Sequence, residues 1–258
     1  MKKVLVLVIA FNAACGTNLA PTVVRANGRD VEIVEAGAGS ATVVFESGLG
    51  DDWSPWDAVA SAVSKQARVF AYSRPGYGES DPAATPRDAS HIVEELRALL
   101  AARGYSPPYV LVGHSFGGTY MELFARSHPA EVAAVVLVDP RHRDFLDTCE
   151  AAHLDSCGLT DSMLFWLPQI QEDEYRAFAM ASREIAAAGP FGSFPVRVLT
   201  GTDHGVSAAR EALWESMLGA LAAEAPEGRQ ILYPGASHYV QLDRAAEVAQ
   251  VIAGVLVR

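Results

Sequence analysis

Tyr109 to Pro129 reads YVLVGHSFGGTYMELFARSHP. Tyr109 to Val112 is a short apolar run, too brief for a helix and built from residues that suit a buried strand. After Gly118 the period changes. Tyr120, Leu123 and Phe124 share one helical face, and Pro129 stands where a helix has already stopped. Between strand and helix lies Gly113-His114-Ser115-Phe116-Gly117, a G-x-S-x-G corner. A serine on so sharp a turn holds a strained backbone, and side chains two residues to either side would collide, which calls for glycine at both flanks. Its hydroxyl is pushed out at the edge of the sheet. The N–H of Phe116, opening the helix, is an unpaired donor beside it and a candidate for the oxyanion hole.

Working outward, Thr22–Arg25 and Asp30–Glu35 flank Asn27-Gly28 as a hairpin, and Ala41–Ser47 and Ala67–Ser73 read as buried strands. A helix starting at Ser54-Pro55-Trp56, with Ser54 as cap, separates those two strands, and Arg87–Arg103 is helical with Ile92, Leu96, Leu99 and Leu100 inward. Val132–Val138 ends in Asp139-Pro140. Val196–Thr200 runs into Gly201-Thr202-Asp203, and Gln230–Tyr233 precedes His238 and a closing helix capped by Asp243. Single strands alternating with longer helices predict an α/β fold: a mostly parallel eight-stranded sheet with helices on both faces. Residues 141–194 carry no strand pattern.

Serine needs an imidazole to take its proton and a buried carboxylate to orient that imidazole, and in this architecture the order is Ser, acid, His. Ser115, Asp203 and His238 obey it, each just past the end of a strand, where parallel sheets bind ligands. Asp139 also ends a strand and is the alternative acid. His91 sits within a helix, His114 beside the nucleophile and His128 at a helix end. His204 directly follows Asp203, too close to fold back and serve it.

These pieces together resemble the α/β-hydrolase superfamily: SGLGDDWSPW at Ser47–Trp56, YSRPGYGESDP at Tyr72–Pro82, VGHSFGG at Val112–Gly118, LVDP at Leu137–Pro140, GTD at Gly201–Asp203 and GASHYVQLD at Gly235–Asp243. The resemblance implies a helical lid over 141–194 and a second oxyanion donor at the backbone N–H of Leu49. The family commonly has His-Gly where this chain has Ser47-Gly48, and Asp-Arg where it has Ser73-Arg74. Dehalogenases and epoxide hydrolases of this fold use aspartate as nucleophile. Ser115 therefore points to acyl transfer, a carboxylic-ester hydrolase acting on a small molecule without metal or cofactor. A lactone, amide or C–C hydrolase, or a non-catalytic ligand-binding protein of the same fold, is the alternative. Within residues 141–194, Phe165 and Trp166 either shape the pocket or glue the lid to the body. His142 and His153 are expected to be solvated or hydrogen-bonded. Arg74 and Arg141 are candidates for a substrate carboxylate, against the plainer expectation of surface arginines.

The 258 residues, half of them apolar, suffice for one large domain over 21–258. A formal net charge of -11 argues against nucleic acid as a partner. Lys2 and Lys3 precede the apolar run Val4–Phe11, so residues 1–20 read as a signal peptide. Ala13-Ala14-Cys15-Gly16 resembles a bacterial lipoprotein processing site, with Asn12 where an aliphatic residue is usual. Export follows, with membrane attachment through a lipidated Cys15, or else release to the periplasm or medium. A first strand over Val4–Ile9 is the weaker reading. Cys149 and Cys157 fit a disulfide in an oxidising compartment, whereas Cys149, His153 and Cys157 on one continuous helix face would suit a metal. The two exclude each other, since eight helical residues span roughly 12 Å. Asp155, Ser156 and Gly158 favour the break that the disulfide needs.

Overall fold

The computed structural model describes residues 19–256; Cys15 and the apolar core of the expected leader lie outside them. Among the described residues no helix is long and apolar enough to cross a membrane.

Eight strands form one sheet: β1 (Thr22–Ala26), β2 (Arg29–Ala36), β3 (Thr42–Glu46), β4 (Arg68–Tyr72), β5 (Tyr109–His114), β6 (Val132–Val138), β7 (Pro195–Gly201) and β8 (Glu227–Tyr233). Their spatial order is β1-β2-β4-β3-β5-β6-β7-β8. β1 and β2 pair antiparallel through the expected turn, where Asn27 and Gly28 both take positive φ, and β2 runs antiparallel to β4. All later pairings are parallel. Strands β3, β5 and β6 are buried along nearly their whole length, which is why they read as unbroken apolar runs rather than alternating ones.

Two layers of core follow. One face packs α2 (Ala89–Ala102), α3 (Phe116–Ser127) and α8 (Ala208–Ala223), and the other packs α1 (Asp57–Val63) and α10 (Ala245–Leu256). Two caps differ from expectation. Ser54 Oγ donates to Asp52 and leaves α1 uncapped, while Asp243 ends the short helix α9 (Val240–Asp243) and accepts the N–H of Ser237. In both cases a nearer polar partner wins the side chain.

Between β6 and β7 the chain inserts α4 (Phe145–Ala151), α5 (Asp161–Leu164), α6 (Gln169–Ala177) and α7 (Ala181–Ala188). A Cys149–Cys157 disulfide closes its first turn, with Cα atoms 5.6 Å apart, and α4 stops at Ala151 as the bridge demands. That pairing removes both thiols from the metal reading. Phe165 and Trp166 stack edge to face on each other and are 75% and 82% exposed, so neither glues the insertion to the body.

The insertion is held by a buried ion network instead. Arg74 was expected at the surface, yet it is 1% exposed. Its guanidinium donates to Glu46 on β3 at 2.8 Å, to both oxygens of Glu174 on α6 at 3.1 and 3.0 Å, and to the carbonyls of Ser47 and Gly48 at 2.6 and 2.7 Å. Arg87 and Tyr77 also reach Glu174. One side chain thus joins sheet, insertion and the loop after β3, and stands in for no substrate contact. Removing it strands two buried carboxylates. Arg74→Met is expected to lower the urea-unfolding free energy by about 3–5 kcal/mol, with part recovered when Glu46→Gln and Glu174→Gln are added. A loss below about 1 kcal/mol would contradict this role.

Candidate active site

The corner after β5 has the expected strain. Ser115 sits at φ 52°, and α3 begins at Phe116. A Cβ on Gly113 would lie 2.4 Å from the carbonyl oxygen of Gly117, and one on Gly117 would lie 2.4 Å from that of Ser47, so both flanks exclude any larger residue. Backbone bonds stitch the corner to the next strand: the Ser115 N–H donates to Val138 O at 3.3 Å, and the Arg141 N–H to Ser115 O at 2.9 Å.

His238, in the loop after β8, brings Nε2 to 2.9 Å from Ser115 Oγ. Its Nδ1 lies 2.6 Å from Oδ2 of Asp139. The expectation that Asp203 orients this ring is therefore corrected. Asp203 is exposed, and its backbone N–H is tied to Ala236 O. Asp139 is fully buried at the end of β6, itself at φ 44°. Its Oδ1 accepts the N–H of Gly201 and the indole N–H of Trp214, each at 3.0 Å.

The residue after Asp203 turns inward. His204 Nε2 lies 2.7 Å from Asp139 Oδ2, and its Nδ1 lies 2.6 Å from Glu211 on α8. Carboxylates only accept, so the two bonds together favour the doubly protonated ring. Adjacency to Asp203 argues against this residue in the sequence; the signal in its favour is Glu211, one turn into the following helix and able to reach back over the loop. Burial would lower His204, but its bonds to Asp139 and Glu211 outweigh that and raise it. Burial would likewise raise Asp139, but the bonds from His204 and His238 hold it at about 2. Asp139, His204 and His238 have the composition of a metal site. Their separations are those of shared protons, and every imidazole nitrogen already faces a carboxylate or Ser115.

His114 lies beneath the site. It is buried, its ring centroid 4.7 Å from that of His238, and its Nε2 is 3.0 Å from His238 O. Burial lowers it, so it stays neutral and donates Nε2–H to that carbonyl, fixing the backbone of His238. Gly48 presses against the same cluster, since a Cβ there would meet His114 Nδ1 at 3.0 Å and Ser115 Cβ at 3.3 Å. This approach sets Leu49 beside Ser115, Phe116 and His238 on the wall of a cavity of about 400 Å³. The Phe116 ring packs on Phe178 and Tyr175 of the insertion. His142 is buried and accepts the Asp144 N–H through Nδ1, with burial pushing it down to about 4; His153 is exposed.

Two pH effects follow. Asp139 titrates below its unfolded value of 3.8, so its contribution is present above about pH 4 and is lost as pH falls through about 2, an amount of about 2 kcal/mol. Urea unfolding between pH 5 and pH 2 is expected to weaken Asp139→Asn less than the unaltered protein by about that much. His204 has the opposite sign: its contribution is fully present below its unfolded value of 6.5 and is lost as pH rises through the higher folded-state value. The stability gap between the protein and His204→Asn is expected to be wider at pH 6 than at pH 9. A gap that widens toward pH 9 would contradict the double ion pair.

Residues 41–172 match the family model described as "alpha/beta hydrolase fold". The uncharacterized protein YqjL of Bacillus subtilis is 26% identical over 211 residues, 80% of each chain. Among solved structures, epoxide hydrolase CorEH superposes with TM-score 0.67 at 18% identity, over 92% of this chain and 98% of that one. Carboxylesterase CesB of Bacillus subtilis does so with TM-score 0.63 at 16% identity, over 93% and 92%. At such identities the two structures speak for the fold alone. With the family model spanning more than half of the sequence, the chain belongs to the α/β-hydrolase fold family.

Proposed function

We propose that the protein hydrolyses carboxylic esters through an acyl-enzyme on Ser115. The observation that carries this reading is the hydrogen-bonded run from Ser115 Oγ through His238 to Asp139, at 2.9 and 2.6 Å. Attack by Oγ on the ester carbon passes the hydroxyl proton to His238 Nε2, and the buried Asp139 carboxylate stabilises the imidazolium that forms. The backbone N–H groups of Phe116 and Leu49 receive the oxyanion. Collapse of the tetrahedral intermediate expels the alcohol, which takes the proton from His238. Water then repeats the sequence at the acyl carbon, releasing the acid and restoring Ser115.

A serine hydroxyl at this corner supports acyl transfer over the opening of epoxides, which in this fold calls for a carboxylate nucleophile. The insertion, read as a lid, shields the acyl-enzyme from bulk solvent. The Cys149–Cys157 bridge supports the exported location, since such bonds persist in oxidising compartments.

A panel of chromogenic esters of graded acyl length tests the reading. Ser115→Ala is expected to abolish turnover, and Asp139→Asn to lower kcat by about 10⁴-fold with little change in KM. Asp203→Asn is expected to stay within about twofold of the unaltered protein, its side chain being exposed. Equal losses in the two aspartate variants would overturn the assignment of Asp139.

A further inference from the structure

The cavity over Ser115 and His238 has an unusual charge for a protein with formal net charge -11. Its lining includes Arg141, Arg210 and His204, the last already balanced by Asp139 and Glu211, and no aspartate or glutamate. Arg141 follows Asp139-Pro140, while Arg210 opens α8 one turn before Trp214. Both guanidinium carbons lie over the buried ring of Phe145, 4.8 and 5.4 Å from its centroid. Cation–π contact with this shared ring holds both groups at the wall of the cavity.

Four arginines that hold the body and the insertion together are neutralised in place. Arg74, Arg87, Arg126 and Arg143 each pair with at least one glutamate. Among the described residues neither Arg141 nor Arg210 has an ion-pair partner. Arg141 gives Nη2 only to the carbonyl of Cys157, at 3.0 Å, and the Nε of Arg210 is buried without an acceptor. The exposed Asp155 feels the charge of Arg210 but forms no ion pair with it, its Oδ1 taking the Ser207 hydroxyl at 2.6 Å. Burial, with repulsion from Arg210 added, pushes Arg141 down to about 10, so it remains charged at neutral pH. Two unpaired guanidinium groups held together are costly unless an anion completes them.

We infer that this wall is a carboxylate anchor: the ester bound at Ser115 carries a carboxylate, which Arg141 and Arg210 grip while the ester carbonyl faces the serine. The inference rests on the ester-hydrolase reading and narrows its substrate class. A guanidinium fork matches a carboxylate in two parallel bonds, which fixes position as well as charge.

Paired esters differing only in one carboxylate provide the test. The 4-nitrophenyl monoester of adipic acid is set against 4-nitrophenyl hexanoate, and 4-hexanoyloxybenzoate against phenyl hexanoate, which places the charge on the acyl or the alcohol side. In at least one pair kcat/KM for the anion is expected to exceed its neutral partner about tenfold or more, mainly through KM. That ratio is expected to fall at least about tenfold in Arg141→Gln and in Arg210→Gln, with Arg141→Lys in between. The two variants guard against one of them failing to fold. A preference for both neutral esters, or a ratio unmoved by either substitution, overturns the anchor while leaving the hydrolase reading intact. If no ester is turned over the hydrolase reading fails, and the anchor is decided by calorimetric titration with monomethyl adipate. Binding weakened at least tenfold by Arg210→Gln supports the anchor, and equal binding of dimethyl adipate overturns it.

Discussion

Two neighbouring parallel strands, β5 and β6, end on residues that L-amino acids rarely place there: Ser115 at φ 52° and Asp139 at φ 44°. Each such residue costs on the order of 1–3 kcal/mol and survives only where its surroundings leave no relaxed alternative. Here Gly113 and Gly117 allow main chains to touch, and reciprocal bonds join the Ser115 corner to Val138 and Arg141. A Cβ on Gly118 would meet Pro140 at 2.6 Å, closing the remaining gap between α3 and the turn after β6. The two strained turns brace each other, and their side chains leave the sheet at the same edge.

What the turns deliver is electrostatic order. Asp139 is out of water yet ionised, because four donors surround its two oxygens: Gly201, Trp214, His204 and His238. Glu211 compensates His204 in turn, so positive charge beside Asp139 is balanced from α8. Arg74 performs a similar service on the opposite side, where it fixes the carbonyls of Ser47 and Gly48 and thereby the loop carrying Leu49. The insertion is tied to the same guanidinium through Glu174. Loop, sheet and insertion therefore share one buried charge centre, while Arg141 and Arg210 on the cavity wall form no ion pair among the described residues.

The strands, the hairpin at Asn27-Gly28 and the Ser115 corner were readable because each has a local cause: apolar runs of strand length, a turn pair that tolerates positive φ, glycines at both flanks. His238 was readable from its place after the last strand. The acid was not, because two aspartates end strands and local pattern does not say which carboxylate is turned inward. That choice depends on Trp214 and Glu211, residues of a helix later in sequence, and on the backbone tie between Asp203 and Ala236. Arg74 looked like a surface residue for a similar reason, since Glu46 and Glu174 lie 28 and 100 positions away. The disulfide was readable because Asp155, Ser156 and Gly158 break the helix that would otherwise hold the two cysteines apart. The exposure of Phe165 and Trp166 was not, because apolar character alone does not say which side a short helix presents.

If Ser115 is made nucleophilic by His238, it should be the one hydroxyl that an electrophilic phosphonate finds. Peptide mapping after treatment with a fluorophosphonate reads this directly. A single adduct on Ser115, absent in His238→Ala and slowed in Asp139→Asn, is the expected result. An unmodified Ser115, or labelling that persists at full rate without His238, would contradict a charge-coupled serine at the head of α3.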